Sequence, residues 1–179
     1  MVNLLRSARN LVCIALLANP SEVQSQDTSL DSFQDIPQLT MGTLDDGVAR
    51  GLTLVYVYGS HPKANAVLRI EWANKTFYDA VTSPAFPDVD FYKFDVQPLV
   101  PYFGSRHAAQ PYLEETFQAY DSPTLVFFCN GEIKRSVSPF LPKLDQTNLS
   151  FTNPKNVVAA QRSSDVVIKA TIQYAAECK

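Results

Sequence analysis

The sequence predicts an α/β protein, and three segments carry that prediction. Leu52–Tyr58 reads LTLVYVY, a continuous apolar run typical of a strand that is buried on both faces. Residues 125–137 contain two further strands around an Asn130-Gly131 turn, the strongest short hairpin signal. Pro154–Glu177 is predicted to be a long final helix, because Asn153 can cap its first turn. Strands and helices that alternate along one chain indicate a sheet covered by helices.

The other elements complete the order β-α-β-α-β-α-β-β-α. Strands are expected at residues 36–41 and 89–96, and helices at residues 43–50, 62–81 and 112–119. The apolar face expected for the second helix is formed by Val67, Ile70, Phe77 and Val81. The stripe expected for the final helix is formed by Val157, Ser164, Ile168, Ile172 and Ala175. Residues 138–153 are expected to form an irregular insertion before that helix.

The first strand of the hairpin follows the step Ser122-Pro123-Thr124. Proline has no backbone N–H to donate to a sheet, so Pro123 must stand at the beginning of the strand. A Ser-Pro bond prefers trans by only about 0.5–1 kcal/mol, so a fold can hold it cis. We therefore predict a structural cis proline at Pro123.

Residues 121–137, DSPTLVFFCNGEIKRSV, resemble the second half of the thioredoxin fold. In that fold a cis-Pro-Thr strand is followed by a Phe-x-Asn-Gly-Glu hairpin, and the order of elements is the same as here. The resemblance implies a thioredoxin-like three-layer α/β/α architecture with a central mixed sheet of four or five strands. It also implies a thioredoxin-like domain over residues 36–179, preceded by a helix and polar arm, or a targeting segment, over residues 1–35.

Thioredoxin-like oxidoreductases carry Cys-x-x-Cys after the first long strand, but this chain has no cysteine between Cys13 and Cys129. The corresponding loop here contains His61, Pro62, Lys63, Ala64 and Asn65. The buried Asp of the family's preceding strand corresponds to Tyr56. Disulfide exchange needs a thiolate. The resemblance therefore implies a redox-inactive member, with no catalytic residue and no cofactor.

The chain has only three cysteines, a number that does not indicate a disulfide framework. We interpret Cys129 and Cys178 as unpaired thiols, with a Cys129–Cys178 bridge, which would fit an oxidising compartment, as the alternative. A monothiol enzyme that uses Cys129 is a further hypothesis. No two cysteines or histidines have the spacing of a zinc site, so no metal is expected.

Protein partners are the expected ligands of this chain. Its net charge of −3 disfavours nucleic acid. The sequence contains no phosphate-binding or dinucleotide fingerprint and no Ser-His-Asp pattern, so we expect no small-molecule substrate. Aromatic and arginine side chains are common interface anchors. The candidate interface in the proline-containing stretch of residues 97–111 consists of Tyr102, Phe103, Arg106 and His107.

The N-terminus supports two interpretations. Arg6 and Arg9 precede an apolar run over residues 11–18, a pattern typical of a secretory signal with cleavage after Ser25. If the segment is retained, it is expected to form an amphipathic helix that docks on a partner. The run is too short to span a bilayer, which needs about 20 residues. The anchoring side chains of that helix would include Leu4, Leu5 and Leu11.

Two function hypotheses follow from these two interpretations. With Met1 retained, the leading one is a non-catalytic structural or binding subunit of a larger intracellular assembly, cytoskeletal in preference to mitochondrial. With residues 1–25 removed, the alternative is a folding factor of the endoplasmic reticulum or a secreted protein. That factor would resemble a non-catalytic disulfide-isomerase domain and bind peptide beside Pro123. Two Asn-x-Ser/Thr tripeptides, at Asn74 and Asn148, occur about as often as chance predicts.

Overall fold

The computed structural model describes residues 33–59, 64–82, 86 and 88–178. The strands are β1 (Gln38–Leu39), β2 (Leu52–Tyr58), β3 (Val89–Asp95), β4 (Thr124–Cys129) and β5 (Glu132–Val137). The helices are α1 (Leu44–Val48), α2 (Ala64–Val81), α3 (Val100–Phe103), α4 (Gln110–Phe117) and α5 (Pro154–Glu177), with a 3-10 turn at Gln97–Leu99. The predicted N-terminal helix, with Leu4, Leu5 and Leu11, lies outside the described residues.

The five strands form one mixed sheet in the order β1-β3-β2-β4-β5. β3 runs parallel to both β1 and β2, whereas β4 runs antiparallel to both β2 and β5. The hairpin between β4 and β5 turns at Asn130 and Gly131, whose φ angles of 50° and 83° explain the Asn-Gly pair. The strand β1 is shorter than the six residues expected from the sequence.

Helices cover both faces of the sheet. α2 and α5 contribute Phe77 and Val167 to a core that also contains Leu54 and Phe127. On the opposite face, α1 and α4 pack against the sheet through another cluster, whose members include Val48, Leu113, Phe117, Val55 and Phe128. The expected three-layer α/β/α architecture is therefore confirmed.

Two helices bury different stripes from those expected. On α2, Val67 is 39% exposed, and the buried residues are Trp72, Ala73, Thr76, Phe77 and Ala80. On α5, Val157 and Ile172 are exposed, and the buried residues are Asn156, Ala160, Ser164, Val167 and Thr171. The Thr171 hydroxyl donates to the Val167 carbonyl at 2.8 Å, which satisfies it inside the core. The expected stripes are partly right. Phe77 and Ser164 are buried as expected, and Ile168 and Ala175 pack against the core, whereas Val157 and Ile172 are exposed.

The insertion between β5 and α5 is irregular, as expected, but it is also part of the core. Leu144 and Leu149 are buried and pack with Trp72. The Trp72 indole donates to the Leu149 carbonyl at 2.9 Å, and the Asn156 amide donates to the Asn148 carbonyl at 2.7 Å. The insertion is thereby tied to both α2 and α5.

A buried lysine attaches the first described residues to the sheet. The Lys93 ammonium donates to the carbonyls of Phe33 and Gln34 at 3.0 and 2.9 Å and lies 5.0 Å from the centroid of the Phe33 ring. Burial lowers the pKa of Lys93, against a smaller opposing effect of Asp35. Phe33 is itself buried among core residues, so packing begins before residue 36, the expected start of the domain.

One hydroxyl joins the start of β4 to the end of β5. The Ser138 oxygen accepts from the backbone N–H groups of Tyr120 and Asp121 at 3.2 and 2.9 Å. It also lies 3.1 Å from the Asp121 carbonyl and 2.8 Å from the Thr124 hydroxyl. Ser138 therefore organises the residues around Pro123.

We expect Ser138→Ala to lower the free energy of unfolding by about 1–2 kcal/mol, because several polar groups lose their common partner. Urea unfolding measures the loss. The matched control is Ser136→Ala, two residues earlier on β5, whose hydroxyl donates one hydrogen bond, to the Gln118 carbonyl. A loss no larger for Ser138→Ala than for the control would show that the network contributes little.

Candidate functional site

Three chain segments meet at one end of the sheet, which we call the cis-proline edge: Gly59 after β2, Val96 after β3 and Pro123 before β4. β2 and β3 are parallel, so their carboxyl ends lie side by side. The register pairs Thr124 with Val57, which brings Pro123 to the same end. In α/β folds, ligands commonly bind beyond the carboxyl ends of parallel strands.

The peptide bond between Ser122 and Pro123 is cis, and a second cis bond joins Ser138 to Pro139. The mixed sheet, its strand order, the helices on both faces and the cis-proline before β4 together define the architecture. The chain has the thioredoxin fold. Within the described residues, the Ser122 hydroxyl is the one buried side-chain polar atom without a hydrogen-bond partner.

The loop after Gly59 lies at the position of the redox loop of thioredoxin-like proteins, and we call it the redox loop for its position alone. His61, Pro62 and Lys63 lie outside the described residues, and Ala64 and Asn65 are the first two residues of α2. Gly59 is required at its position, because a Cβ atom there would collide with the Val96 side chain. That Cβ would also lie 3.6 Å from a guanidinium nitrogen of Arg106. Arg106, expected to be an interface residue, therefore lies beside the start of the redox loop.

The other candidate interface residues are found on the short helix α3 and just after it. Tyr102 is 76% exposed, whereas Phe103 packs against Tyr112 with ring centroids 5.7 Å apart. His107 is exposed in the turn before α4. Tyr120, three residues before Pro123, is 71% exposed and was not singled out by the sequence. Its position before a cis proline is the signal that could have identified it.

Tyr56 lies at the position that corresponds to the family's buried aspartate. It is completely buried, its hydroxyl donates to Asn74 at 2.8 Å, and its ring stacks on Phe77 with centroids 4.8 Å apart. Burial, with a smaller effect of Tyr58, raises the pKa of Tyr56 well above its usual value. Its proton is therefore held firmly at neutral pH, and it offers no base to the loop.

Tyr58 is the last residue of β2, immediately before Gly59. Burial and the nearby Asp95 carboxylate raise the pKa of Tyr58 to about 12. The described side chains near the cis-proline edge therefore include a neutral phenol and a guanidinium.

The interpretation of Cys129 and Cys178 as unpaired thiols is wrong. The two sulfur atoms form a disulfide, with the Cα atoms 5.6 Å apart. Cys129 is the last residue of β4, and Cys178 directly follows α5, which packs over that face of the sheet. The bridge attaches the end of the final helix to the central sheet. It also occupies the sulfur that a monothiol mechanism on Cys129 would need.

The disulfide and the cis-proline edge lie at opposite ends of β4. Cys129 pairs with Leu52 at the beginning of β2, and Thr124 pairs with Val57 near its end. Five residue steps of extended strand span roughly 17 Å. The disulfide therefore lies at the end of β4 away from the loop after Gly59.

The described residues include no candidate metal cluster and no helix that could cross a membrane. Among them, no three His, Cys, Asp or Glu residues are grouped so as to hold a metal ion. No helix in the described part of the chain has the length and hydropathy of a membrane span.

Comparison with solved structures finds thioredoxin-fold proteins of low identity. A thioredoxin of Malassezia sympodialis is 19% identical over 72% of this chain and 90% of its own, with a TM-score of 0.35. Mitochondrial thioredoxin 3 of Saccharomyces cerevisiae is 18% identical over 59% and 85%, with a TM-score of 0.39. Zinc-bound human ERp44 is 16% identical over 76% and 32%, with a TM-score of 0.42. No family model and no curated protein matches the chain.

We expect Tyr56→Phe to change how stability depends on alkaline pH. A phenol whose pKa is raised by folding keeps its proton in the folded state, whereas the unfolded chain loses it near pH 10. The stability that this difference provides is complete below about pH 10 and is lost as the pH rises toward the folded pKa. Near neutral pH the variant should have a free energy of unfolding about 1 kcal/mol lower, because it lacks the hydrogen bond to Asn74. Above about pH 10 its free energy of unfolding should fall less steeply with pH than that of the unmodified protein.

Urea unfolding at a series of pH values measures both effects. Tyr58→Phe is the control, since Tyr58 is half-buried and its raised pKa should contribute mainly between about pH 10 and 12. A Tyr56→Phe curve parallel to that of the unmodified protein throughout the alkaline range would contradict the assignment.

Proposed function

We propose that this chain is a non-catalytic thioredoxin-fold binding protein of an oxidising compartment, which holds extended segments of partner proteins at the cis-proline edge. The observation that carries the proposal is the Cys129–Cys178 disulfide, formed far from that edge. The disulfide supports both parts of the proposal, namely that the protein does not catalyse thiol exchange and that it works in an oxidising compartment.

The disulfide favours an oxidising compartment because structural disulfides are rare where glutathione and thioredoxin keep thiols reduced. The secretory alternative for residues 1–25 accounts for such a bridge directly, since a signal peptide would deliver the chain to the lumen. A cytoskeletal or other intracellular assembly, the leading hypothesis from sequence, would have to maintain the bridge against a reducing environment. We therefore favour the secretory alternative.

The absence of thiols favours binding over exchange. The sequence has no cysteine from Ile14 to Phe128, which includes the whole redox loop, and the Cys129 sulfur is bridged. Thiol-disulfide exchange begins with attack by a thiolate, and none of the described residues at the cis-proline edge is a cysteine.

The side chains around the cis-proline edge are suited to binding a peptide. Tyr102 and Tyr120 are the two most exposed aromatic side chains in the described residues, and Arg106 lies beside Gly59. Tyrosine and arginine are the residues that most often carry binding energy in interfaces.

Binding of a carboxymethylated, permanently unfolded protein tests the edge. We expect Tyr102→Ser together with Tyr120→Ser to weaken binding by about tenfold or more, because two exposed aromatic anchors are removed. The control is Ile172→Ser, which removes an exposed apolar side chain from α5. All variants should lack insulin-reducing activity. Reduction of insulin by any variant would overturn the non-catalytic assignment. An equal loss of binding in Ile172→Ser would show that the unfolded protein does not bind at the cis-proline edge.

The fate of the full-length chain in eukaryotic cells tests the compartment. We expect the mature protein to begin near Gln26 and to carry an N-linked glycan on Asn148, which is exposed in the insertion. Asn74 should remain unmodified, because its side chain accepts the Tyr56 hydroxyl inside the fold. N-terminal sequencing and peptide-N-glycosidase treatment of the protein and of Asn148→Gln are the measurements. A mature protein that retains Met1 would contradict the secretory assignment.

A further inference from the structure

A groove of about 450 Å³ opens between α5, the insertion and the edge of the sheet. Its floor is formed by Leu125 and Phe127 of β4 and Val137 of β5, and one wall by Val166 and Val167 of α5. The volume lies within the range of roughly 300–1,000 Å³ that is usual for small-molecule sites. This groove lies over the sheet face that α5 covers, so it is separate from the disulfide at the end of α5 and from Tyr102 and Gly59.

Three basic side chains line this otherwise apolar groove, and each comes from a different element. Arg135 lies opposite Phe127 in the register of β4 and β5, Lys143 belongs to the insertion, and Arg162 lies on α5. No carboxylate lines the groove. We call it the cationic groove.

The positive charge of the cationic groove is not neutralised by the protein. The ion pairs found in the described residues join Lys75 to Asp79, Lys134 to Glu132 and Lys155 to Asp145. Within that part of the chain, none of the three groove cations is paired with a carboxylate. The whole chain carries a net charge of −3, so this local excess runs against the overall balance. Cations that gather around apolar surface without acidic partners favour an anionic ligand.

We propose that the cationic groove binds a small amphipathic anion, such as a long-chain or aromatic carboxylate, with its apolar part on the more accessible Val137, Leu141 and Val166. Its charged group would lie among Arg135, Lys143 and Arg162. An arginine guanidinium can hold a carboxylate through two parallel hydrogen bonds, and a lysine adds a third donor. The apolar tail supplies affinity, and the charged end sets its direction in the groove.

The N-terminal apolar run of the same chain is disfavoured as the ligand of the cationic groove, because its flanking charges are positive. The apolar N-terminal run is preceded by Arg6 and Arg9, and the chain has no acidic residue before Glu22. That segment would bring further positive charge to the groove. A small anion complements both the apolar floor and the three cations, and this is why it is preferred.

Isothermal titration of the purified, delipidated full-length protein with dodecanoate, below its micelle concentration, tests the proposal. We expect binding of one dodecanoate per chain that weakens as ionic strength rises, because the charges lie at a solvent-accessible groove. Dodecanol and dodecyltrimethylammonium have the same tail with a neutral or a positive end. Both should bind at least about tenfold more weakly.

Matched variants on α5 locate the site. Arg162→Gln should weaken dodecanoate binding by about tenfold, whereas Lys169→Gln, which removes an exposed cation outside the groove, should leave it unchanged. Val166→Asp places a negative charge on the groove wall and should also weaken binding. Val158→Asp makes the same change at an exposed valine of the same helix outside the groove. Circular dichroism confirms that each variant is folded.

The titrations distinguish a specific anion site from non-specific binding of the dodecyl chain. Selective dodecanoate binding that depends on Arg162 and Val166, but not on Lys169 and Val158, supports the site. Equal affinity for all three dodecyl compounds, or an equal effect of groove and control variants, would overturn it. Binding of an acidic peptide in the groove without binding of dodecanoate would assign the site to a protein segment and would also overturn it.

Discussion

The burial of β2 is the constraint on which the rest of the structure depends. Leu54, Val55, Tyr56 and Val57 are consecutive residues with at most 1% of their surface exposed. Successive side chains of a strand point to opposite faces, so both faces of the sheet must be covered. α1 and α4 cover one face, and α2 and α5 cover the other. The insertion completes the second layer, where Leu149 accepts the Trp72 indole N–H.

The two bridged cysteines connect this second layer to the sheet. α5 packs on the sheet through residues such as Val167, and Cys178 follows its last turn. The disulfide between Cys129 and Cys178 holds the end of α5 to β4, and a cross-link of this kind is typically worth about 2–4 kcal/mol. Among the described residues, the cysteines therefore form a link between α5 and β4, and none lies at the cis-proline edge.

The two candidate surfaces use different faces of the same scaffold. We propose the cis-proline edge, with Arg106 beside Gly59 and the exposed Tyr102 and Tyr120, for an extended chain. We propose the cationic groove, with its three basic side chains, for a small anion. Both surfaces depend on the residues around Ser138, since this hydroxyl holds the Pro123 step to the end of β5, and Pro139 lines the groove.

The sequence by itself determined the order of the strands and of the longer helices, the position of β2, the Asn130-Gly131 turn, and the bounds and Asn153 cap of α5, but not the 3-10 turn and the short helix α3 between β3 and α4. These features depend on local chemistry, such as continuous hydrophobicity, tolerance of positive φ and capping, which short stretches of sequence express directly. The absence of a dithiol in the redox loop is likewise a property of the sequence.

Only the tertiary structure decided the rest. Whether Cys129 and Cys178 are bridged depends on α5 crossing the sheet and ending beside β4, a contact between residues 49 positions apart. The buried stripes of α2 and α5 depend on where each helix meets the sheet, and polar residues such as Asn156 are buried because the insertion supplies their partners. The cationic groove depends on three cations brought together from separate elements. Such features rest on long-range packing, which local hydropathy and propensity do not encode.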